Sequence, residues 1–211
     1  MTGRDSPWLR IPASDYEGHM AGIGQSAALR AIFARIYAET RPRRLLVLGC
    51  TTGKDLGLID PRVTTRAVGL DVNAEYLATA RGEVGRDVEL VHGDVLAADL
   101  SGPFDLVHAA LLVEYVDPAA LFRRIGAWLA PGGACSVVSQ DPVAEIPSVS
   151  ETAYISLRAL EGGMRLVRCE ELVEIARQAG LARTSSQSVS LPGGKSFSVS
   201  IFAACAARID G

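Results

Sequence analysis

Two acidic residues follow a glycine-containing turn at distances that place all three at one edge of a parallel sheet. The apolar run 45–48 leads into the turn 49–53. Asp71 closes the next apolar run, and Asp94 comes directly after the third. In an open parallel α/β sheet, the carboxyl ends of the strands border the crevice in which ligands bind. The sequence therefore predicts that the turn and both carboxylates contact one small ligand, and this combination is typical of nucleoside binding.

The glycine turn departs from two common nucleotide motifs. A dinucleotide fingerprint has the form Gly-x-Gly-x-x-Gly, but Thr51 and Lys54 stand where its second and third glycines belong. A phosphate loop has four residues between its first glycine and Gly-Lys-Ser/Thr. Here three residues separate Gly49 from the Gly-Lys pair, and Asp55 takes the place of the hydroxyl residue. Both motifs are therefore excluded.

Strand-like and helical patterns alternate around these residues. Apolar runs predict five parallel strands at 44–48, 66–71, 87–92, 104–110 and 134–139. Periodicity and capping residues predict helices at 24–40, 74–84, 118–130 and 170–178, with a weak one at 55–60 and another in 153–160. The runs 181–191 and 195–206 are joined by a tight turn, which connects only antiparallel strands. We expect an α/β fold: a Rossmann-like doubly wound sheet, mainly parallel, with a reversed last strand.

At this point the sequence resembles the class I S-adenosylmethionine-dependent methyltransferases, over roughly residues 40–206. Gly49, Cys50, Thr52 and Gly53 match four positions of that family's Gly-Cys-Gly-Thr-Gly loop. The segments 93–95, 104–116, 121–133 and 171–181 are similar to further family segments in the same order. The resemblance is to the small members of the family, similar to methyltransferase types 11 and 12.

The resemblance implies a cofactor, S-adenosyl-L-methionine, and the residues that bind it. Asp71 matches the acid that holds the ribose hydroxyls, while Asp94 and the backbone amide after it match the contacts to adenine. The full implied set is Gly49, Cys50, Thr51, Gly53, Asp71, Val72, Asp94, Val95 and Ala110. We therefore expect an enzyme, a methyltransferase that acts on a small-molecule methyl acceptor.

Two departures from the family pattern leave an alternative open. Val47 stands where the family often has an acid that supports the methionine amino group, and Thr51 replaces the central glycine of the loop. A Cβ at Thr51 could weaken binding, shift the ligand, or be neutral if the loop takes another path. The alternative function is a non-catalytic S-adenosylmethionine- or nucleoside-binding protein with a degenerate glycine loop. A third function, aminopropyl transfer, has only Asp141 and Glu145 in its support.

Candidate catalytic groups lie in two places. Tyr16 and His19 belong to the segment 13–23, in which we expect a lid over the cofactor, although a surface loop packed on the first helix is the alternative. Glu114 follows the fourth strand and could be a general base, a helix cap or a packing residue. His108, within that strand, is expected to be a buried, hydrogen-bonded histidine.

We expect one methyltransferase-like domain over 1–211. It contains an N-terminal lid and helix in 1–40 and an insertion in 142–167, which carries Tyr154 and Met164 and shapes the acceptor pocket. The residues 1–23 show no regular pattern.

Composition narrows the possible partners. The chain is 48% hydrophobic, has a formal net charge of −3 and lacks the apolar run of roughly 20 residues that spans a bilayer. We therefore expect no nucleic acid, no membrane and no signal peptide, and the segment 109–114 also lacks the motif of amino methylation of DNA bases. The four cysteines are far apart, which predicts free thiols, no metal site and a cytoplasmic location. A monomer or a homodimer is expected.

Overall fold

The computed structural model describes residues 6–205, and one seven-stranded sheet runs through them. Its strands are β1 (Arg44–Leu48), β2 (Arg66–Asp71), β3 (Val88–His92), β4 (Phe104–Ala110), β5 (Leu129–Gln140), β6 (Leu181–Ser190) and β7 (Ser196–Ala204). The strand order is β3-β2-β1-β4-β5-β7-β6. Strands β1 to β5 pair in parallel, whereas β7 pairs antiparallel with both β5 and β6. The predicted mainly parallel sheet with a reversed last strand is confirmed.

Helices cover both faces of the sheet. They are α1 (Ala13–Gly22), α2 (Gln25–Thr40), α3 (Ala74–Glu83), α4 (Pro118–Trp128) and α5 (Cys169–Gln178). Asn73 caps α3 as predicted, because its side chain accepts hydrogen bonds from two backbone amides of the first turn. Asp117 caps α4 with one such bond, which its side chain accepts from the Ala120 amide. Short 3-10 helices occupy Pro7–Arg10, Leu56–Leu58, Ile155–Leu160 and Pro192–Gly194.

The alternation of side chains along β1 builds two apolar layers. Leu46 and Leu48 pack in the layer that contains α4 and α5, while Leu45 and Val47 pack in the layer that contains α2 and α3. Successive strand residues point to opposite faces, so a strand buried on both sides is apolar throughout. Each carboxyl-end loop therefore starts from a rigid strand.

The structure differs from the prediction at four elements. Residues 13–22 form a helix where no regular pattern was expected. The weak helix predicted at 55–60 is only the 3-10 turn Leu56–Leu58, since Pro61 follows it closely. The expected helix in 153–160 is likewise a 3-10 helix at Ile155–Leu160. The fifth strand begins at Leu129 rather than at 134, because the chain through the Pro-Gly-Gly turn already pairs with β4 at Phe104.

The N-terminal residues pack across the carboxyl edge of the sheet. Ile11 forms a small apolar cluster with Leu157 and Leu160 of the chain between β5 and α5. The Ser156 hydroxyl donates to Asp15 at 2.6 Å, and a Cβ added to Gly18 would collide with the Tyr154 ring. Glycine disfavours helix formation, and α1 contains glycines. Its close packing against 154–160 therefore stabilises this helix.

Candidate functional site

A cavity of about 190 Å³ lies at the carboxyl ends of β1, β2 and β4 and is bordered on one side by α1. Most of the predicted site residues line it: Gly49, Cys50, Thr51, Asp71, Val72, Asp94, Val95 and Ala110, together with Tyr16 and His19. The structure thus brings together the turn, both strand-end carboxylates and the N-terminal segment. Two predicted site residues, Gly53 and Glu114, are not among the residues that line the cavity.

The glycine loop keeps a left-handed backbone at three positions. The φ angles are 67° at Gly49, 48° at Thr51 and 81° at Gly53. Thr51 therefore adopts the conformation that glycine favours, which is an outlier for a β-branched residue. Its backbone amide donates to Asp71 at 2.8 Å, so a buried carboxylate helps to hold the strained residue in place.

Gly53 has a packing role within this loop. A Cβ at that position would lie 2.8 Å from the Ala80 Cβ and 3.1 Å from the Ala80 Cα on α3. Contacts this short to a helix backbone cannot be relieved by a side-chain rotation. Gly53 therefore lets the loop lie against α3.

Asp71 both shapes the loop and faces the cavity. Its two carboxylate oxygens accept hydrogen bonds from the backbone amides of Thr51 and Asn73, each at 2.8 Å, and the residue is only 6% exposed. Burial raises the pKa of Asp71, and the hydrogen bonds to the two amides oppose that shift. Asp94 lies at the end of the neighbouring strand, where one of its oxygens accepts from Leu96 at 2.9 Å.

A third acid, Asp55, also lines the cavity. Burial raises the pKa of Asp55 to about 6, while the charge of Arg30 on α2 acts in the opposite direction. Val47, which takes the place of the family's usual acid, is almost completely buried at the same cavity. Strand β1 thus contributes no acid to this cavity, but Asp55 provides one just after the glycine loop.

Tyr16 and its neighbours on α1 attach this helix to the loop. Burial raises the pKa of Tyr16 to about 12, and a hydrogen bond with the Thr51 side chain opposes the shift. The Tyr16 ring lies 5.4 Å from the Tyr76 ring and 5.9 Å from the Trp8 ring, measured between centroids. An aromatic cluster of this kind contributes packing energy along this side of the cavity.

His19 lies one helical turn further along α1. It is 8% exposed, and its Nδ1 atom has no hydrogen-bond partner within residues 6–205. Burial lowers the pKa of His19, and the charge of Lys195 lowers it further. The imidazole is therefore neutral near pH 7, with one ring nitrogen available as a proton acceptor.

Glu114 is buried behind the cavity wall. Its Oε1 atom accepts a hydrogen bond from the Gln140 amide at 2.8 Å, and its backbone carbonyl accepts from the Arg165 amide at 2.9 Å. Within the described chain its Oε2 atom has no partner, and burial raises the pKa of Glu114 to about 7. These contacts join the loop after β4 to the end of β5.

The prediction for His108 is confirmed. Its Nδ1 atom lies 3.2 Å from the Ser136 hydroxyl, and its ring packs edge-on against Phe33 at 5.1 Å. Burial lowers the pKa of His108 to about 4, so this histidine is neutral. The predicted free thiols are also confirmed, since all four cysteines are unpaired.

Lys195, which was not predicted as a site residue, lines the cavity from the turn between β6 and β7. A compositional signal was present, because the chain has only two lysines against 19 arginines. Both lysines, Lys54 and Lys195, border this cavity. Lysine and arginine are not interchangeable where a compact charge is needed. The presence of both lysines at one cavity therefore indicates that these positions are part of a binding site.

Comparisons with known proteins give this fold a family. A family profile described as a methyltransferase domain matches residues 19–186. A ubiquinone biosynthesis O-methyltransferase of Bordetella pertussis is 30% identical over 157 residues, which cover 67% of this chain and 63% of that protein. The chain spans less than two thirds of the length of the first curated relatives that it matches.

Solved structures share the fold. The structure titled DhpI-SAH complex has a TM-score of 0.68 and 20% identity, over 96% of this chain and 97% of that one. The N-methyltransferase NodS of Bradyrhizobium japonicum, in complex with S-adenosyl-L-homocysteine, has a TM-score of 0.65 and 16% identity, over 83% and 85% of the two chains. The chain belongs to the class I S-adenosylmethionine-dependent methyltransferase family, as the sequence predicted.

The residues of the cavity fit the cofactor of that family, S-adenosylmethionine. Asp71 and Asp94 present carboxylates at the ends of adjacent strands, as acceptors for a ribose diol and an adenine amino group require. The left-handed loop at Gly49 leaves its backbone free of a side chain on the cavity wall. Within residues 6–205, no helix is both long and apolar enough to cross a membrane.

Proposed function

We propose that the protein transfers a methyl group from S-adenosylmethionine to a small-molecule acceptor. The observation that carries this proposal is the placement of Asp71, Asp94 and the glycine loop around one cavity that continues to His19 and Lys195. The residues that line this cavity therefore extend from groups suited to a nucleoside to the titratable side chains His19 and Lys195. The name of the ubiquinone biosynthesis relative supports an acceptor of low molecular weight.

The cofactor is assigned to the loop and the strand ends. Asp71 accepts hydrogen bonds from the ribose hydroxyls, and Asp94 with the amide of Val95 contacts adenine. Gly49, Cys50, Thr51, Val72 and Ala110 complete the proposed wall, and Gly53 supports it through its packing on α3. We assign the methionine amino group to Asp55, because a cation beside this partly buried carboxylate favours its charged form.

The chain itself contributes orientation, exclusion of water and a base. When bound, S-adenosylmethionine supplies a methyl group that is already activated on a sulfonium. Helix α1 covers the cavity with Tyr16 and excludes water, which strengthens every electrostatic interaction beneath it. His19 accepts a proton from an acceptor hydroxyl or amine, since its neutral imidazole lies in the cavity with Nδ1 unpaired.

The remaining predictions from the sequence also enter this proposal. The segment 142–167, which reaches the cavity through Met164, forms part of the acceptor pocket, whereas Tyr154 is not among the lining residues and packs against Gly18 instead. Four free cysteines support a reducing, cytoplasmic location. A monomer or a homodimer, acting without nucleic acid or membrane, remains the prediction.

Calorimetry tests the proposal in its simplest form. Titration of the full chain with S-adenosylmethionine and S-adenosylhomocysteine should give one binding site for each. A metabolite library incubated with methyl-labelled cofactor should then yield a labelled product. Failure of both ligands to bind at millimolar concentration would remove the enzyme hypothesis. Binding with no product from a broad library would instead favour the non-catalytic binder.

A variant at His19 tests the proposed base. His19→Ala should lower kcat by about a hundredfold or more, because general-base catalysis contributes roughly that much. The affinity for S-adenosylhomocysteine should change little, since a base acts on the acceptor in the transition state. Full turnover in His19→Ala would assign this residue to packing of α1.

A further inference from the structure

Lys195 is a buried cation at the acceptor end of the cavity. It is 7% exposed and belongs to the turn that joins the antiparallel strands β6 and β7. Turn lysines ordinarily extend into solvent, because a buried ammonium loses its hydration. The turn instead directs this side chain inward, to the cavity that also receives His19 from α1. A role inside the cavity explains this burial.

The protein meets only part of the hydrogen-bonding capacity of Lys195. Its Nζ atom donates to the Ser148 carbonyl at 2.9 Å, and the same carbonyl accepts from the Gln140 side-chain amide, also at 2.9 Å. An ammonium has three donors, of which this accounts for one. Within residues 6–205, no carboxylate lies within 4.0 Å of Lys195, in contrast to Lys54, which is paired with Glu17.

His19 provides a second, independent indication of a missing partner. More than nine tenths of this residue is buried, and its Nδ1 atom has no hydrogen-bond partner in the part of the chain that the structure describes. Lys195 and His19 both line this cavity. Buried polar atoms are nearly always satisfied in folded proteins. A cation without a counter-charge indicates an anionic group on a ligand, and a neutral imidazole nitrogen without a partner indicates a hydroxyl or amine that donates to it.

We propose that Lys195, beside His19, forms a subsite for a carboxylate of the methyl acceptor, which is therefore an organic acid. The hydroxyl or amine that receives the methyl group donates to the unpaired Nδ1 atom of His19. The proposal rests on the proposed function, since it specifies the substrate class of the same cavity. One ammonium beside a neutral imidazole offers a single positive charge, which a monoanion balances. A phosphate dianion would leave a net negative charge buried, at a considerable cost in desolvation.

The charge distribution of the cavity agrees with this assignment. Asp55, Asp71 and Asp94 line the end assigned to the nucleoside and the methionine amino group, whereas Lys195 lies at the acceptor end. Arg30 and the ion pair of Lys54 with Glu17 also border the cavity. An organic acid is thereby attracted to Lys195 and repelled by the carboxylates of the cofactor end. The same charges disfavour an acceptor with a protonated amine at the Lys195 subsite, because like charges in a water-poor cavity repel strongly.

A binding experiment tests the subsite without relying on turnover. The full chain is saturated with S-adenosylhomocysteine, and the dissociation constants of benzoate, benzamide and phenylphosphonate are measured by saturation-transfer NMR. Benzoate and benzamide have nearly the same shape and differ in charge. Benzoate should bind at least tenfold more tightly than benzamide, because truncation of a desolvated charge pair commonly has a larger effect than this.

Variants of Lys195 then identify the residue responsible. Lys195→Met should abolish the preference for benzoate, and Lys195→Arg should retain most of it, because the charge is kept. Both variants should bind S-adenosylhomocysteine as the unaltered protein does, which shows that the cavity is intact.

The outcomes separate this inference from the proposed function. If S-adenosylhomocysteine does not bind the unaltered protein, the proposed function fails. If it binds and benzoate shows no advantage over benzamide, the carboxylate subsite is overturned while methyl transfer stands. Tighter binding of phenylphosphonate than of benzoate would overturn the proposal that the subsite binds a monoanion, and would assign a dianionic acceptor. A preference for benzoate that survives in Lys195→Met would likewise refute the role of this residue.

Discussion

Glu17 on α1 forms an ion pair with Lys54, the residue that follows the glycine loop. The same carboxylate accepts a hydrogen bond from the Thr52 hydroxyl, so one side chain joins the N-terminal helix to the loop. The pair is partly open to solvent, with side-chain exposures of 48% for Lys54 and 22% for Glu17. Such pairs contribute about 1 kcal/mol or less. The ion pair therefore adds a small increment to the packing that holds α1, chiefly that of Gly18 on Tyr154 and of Tyr16 on Tyr76.

Loss of this ion pair should loosen α1. In the ligand-free protein, Glu17→Gln should speed hydrogen exchange of the amides in 13–22 by up to about fivefold, the equivalent of about 1 kcal/mol. S-adenosylhomocysteine should slow exchange in the same segment of the unaltered protein, more than in the turn 191–195. Exchange is measured by mass spectrometry of peptides from each segment.

Glu39 offers a matched control for this measurement. Glu39→Gln removes an exposed ion pair with Arg35 on α2, and neither residue lines the cavity. Exchange in 13–22 should be unchanged in that variant. The opposite result would be equal exchange rates in Glu17→Gln and in the unaltered protein, unaffected by ligand. That result would show that α1 does not open.

Strand-end chemistry is the part of the site that sequence predicts well. Asp71 and Asp94 were identified because each follows an apolar run, and the carboxyl ends of parallel strands meet at one edge. The Asn73 cap and the reversed strand β7 were predictable for a similar reason, since capping and tight turns are local rules. These features depend on residues close in sequence, and at these positions no long-range packing contact opposes them.

Features that depend on distant contacts were not predictable. Helix α1 contains two glycines and is stabilised by packing of Gly18 on Tyr154, more than a hundred residues away. The direction of a side chain is equally hidden: Glu114 is turned inward to the Gln140 amide, and Lys195 is turned into the cavity. Sequence spacing places a residue on an element and leaves the direction of a loop side chain undetermined.

The charge of Asp71 should be needed for cofactor binding, in addition to its hydrogen bonds to the glycine loop. Asp71→Asn should weaken binding of S-adenosylhomocysteine by tenfold or more, because hydrogen bonds to a charged group contribute roughly 1.5–3 kcal/mol each. Asp105→Asn is the control, since Asp105 also accepts from a backbone amide and from an arginine, Arg44, but near the amino ends of the strands. Calorimetry should show unchanged affinity in the control. Unchanged affinity in Asp71→Asn would place the ribose elsewhere.

Thr51 should be a source of backbone strain. A residue with a Cβ in the left-handed region loses roughly 1–2 kcal/mol relative to its favoured conformations. Thr51→Gly should therefore be more stable to denaturant than Thr51→Ala by about 1 kcal/mol, and this comparison removes the hydroxyl from both proteins. Affinity for S-adenosylhomocysteine should be no lower in Thr51→Gly than in the unaltered protein. Equal stability of the two variants would show that the loop is relaxed at φ 48°.

Glu114 should make the folded protein less stable as pH rises. Its pKa is about 7 in the folded state, above its ordinary value of 4.5. Between these values the folded state binds a proton that the unfolded state has released, so the free energy of unfolding falls with rising pH by up to roughly 1.4 kcal/mol per pH unit. Above pH 7 both states are ionised and the loss levels off.

Glu114→Gln should remove this dependence. The amide oxygen can still accept from the Gln140 amide, so the variant should match the unaltered protein at pH 5 and exceed its stability at pH 8 by about 1–3 kcal/mol. Urea unfolding at both pH values measures the difference, with Glu151→Gln, at an exposed position, as the control that should show none. Methyl transfer should persist in Glu114→Gln, because Glu114 is not among the residues that line the cavity. Loss of turnover with unchanged folding would restore Glu114 as the general base.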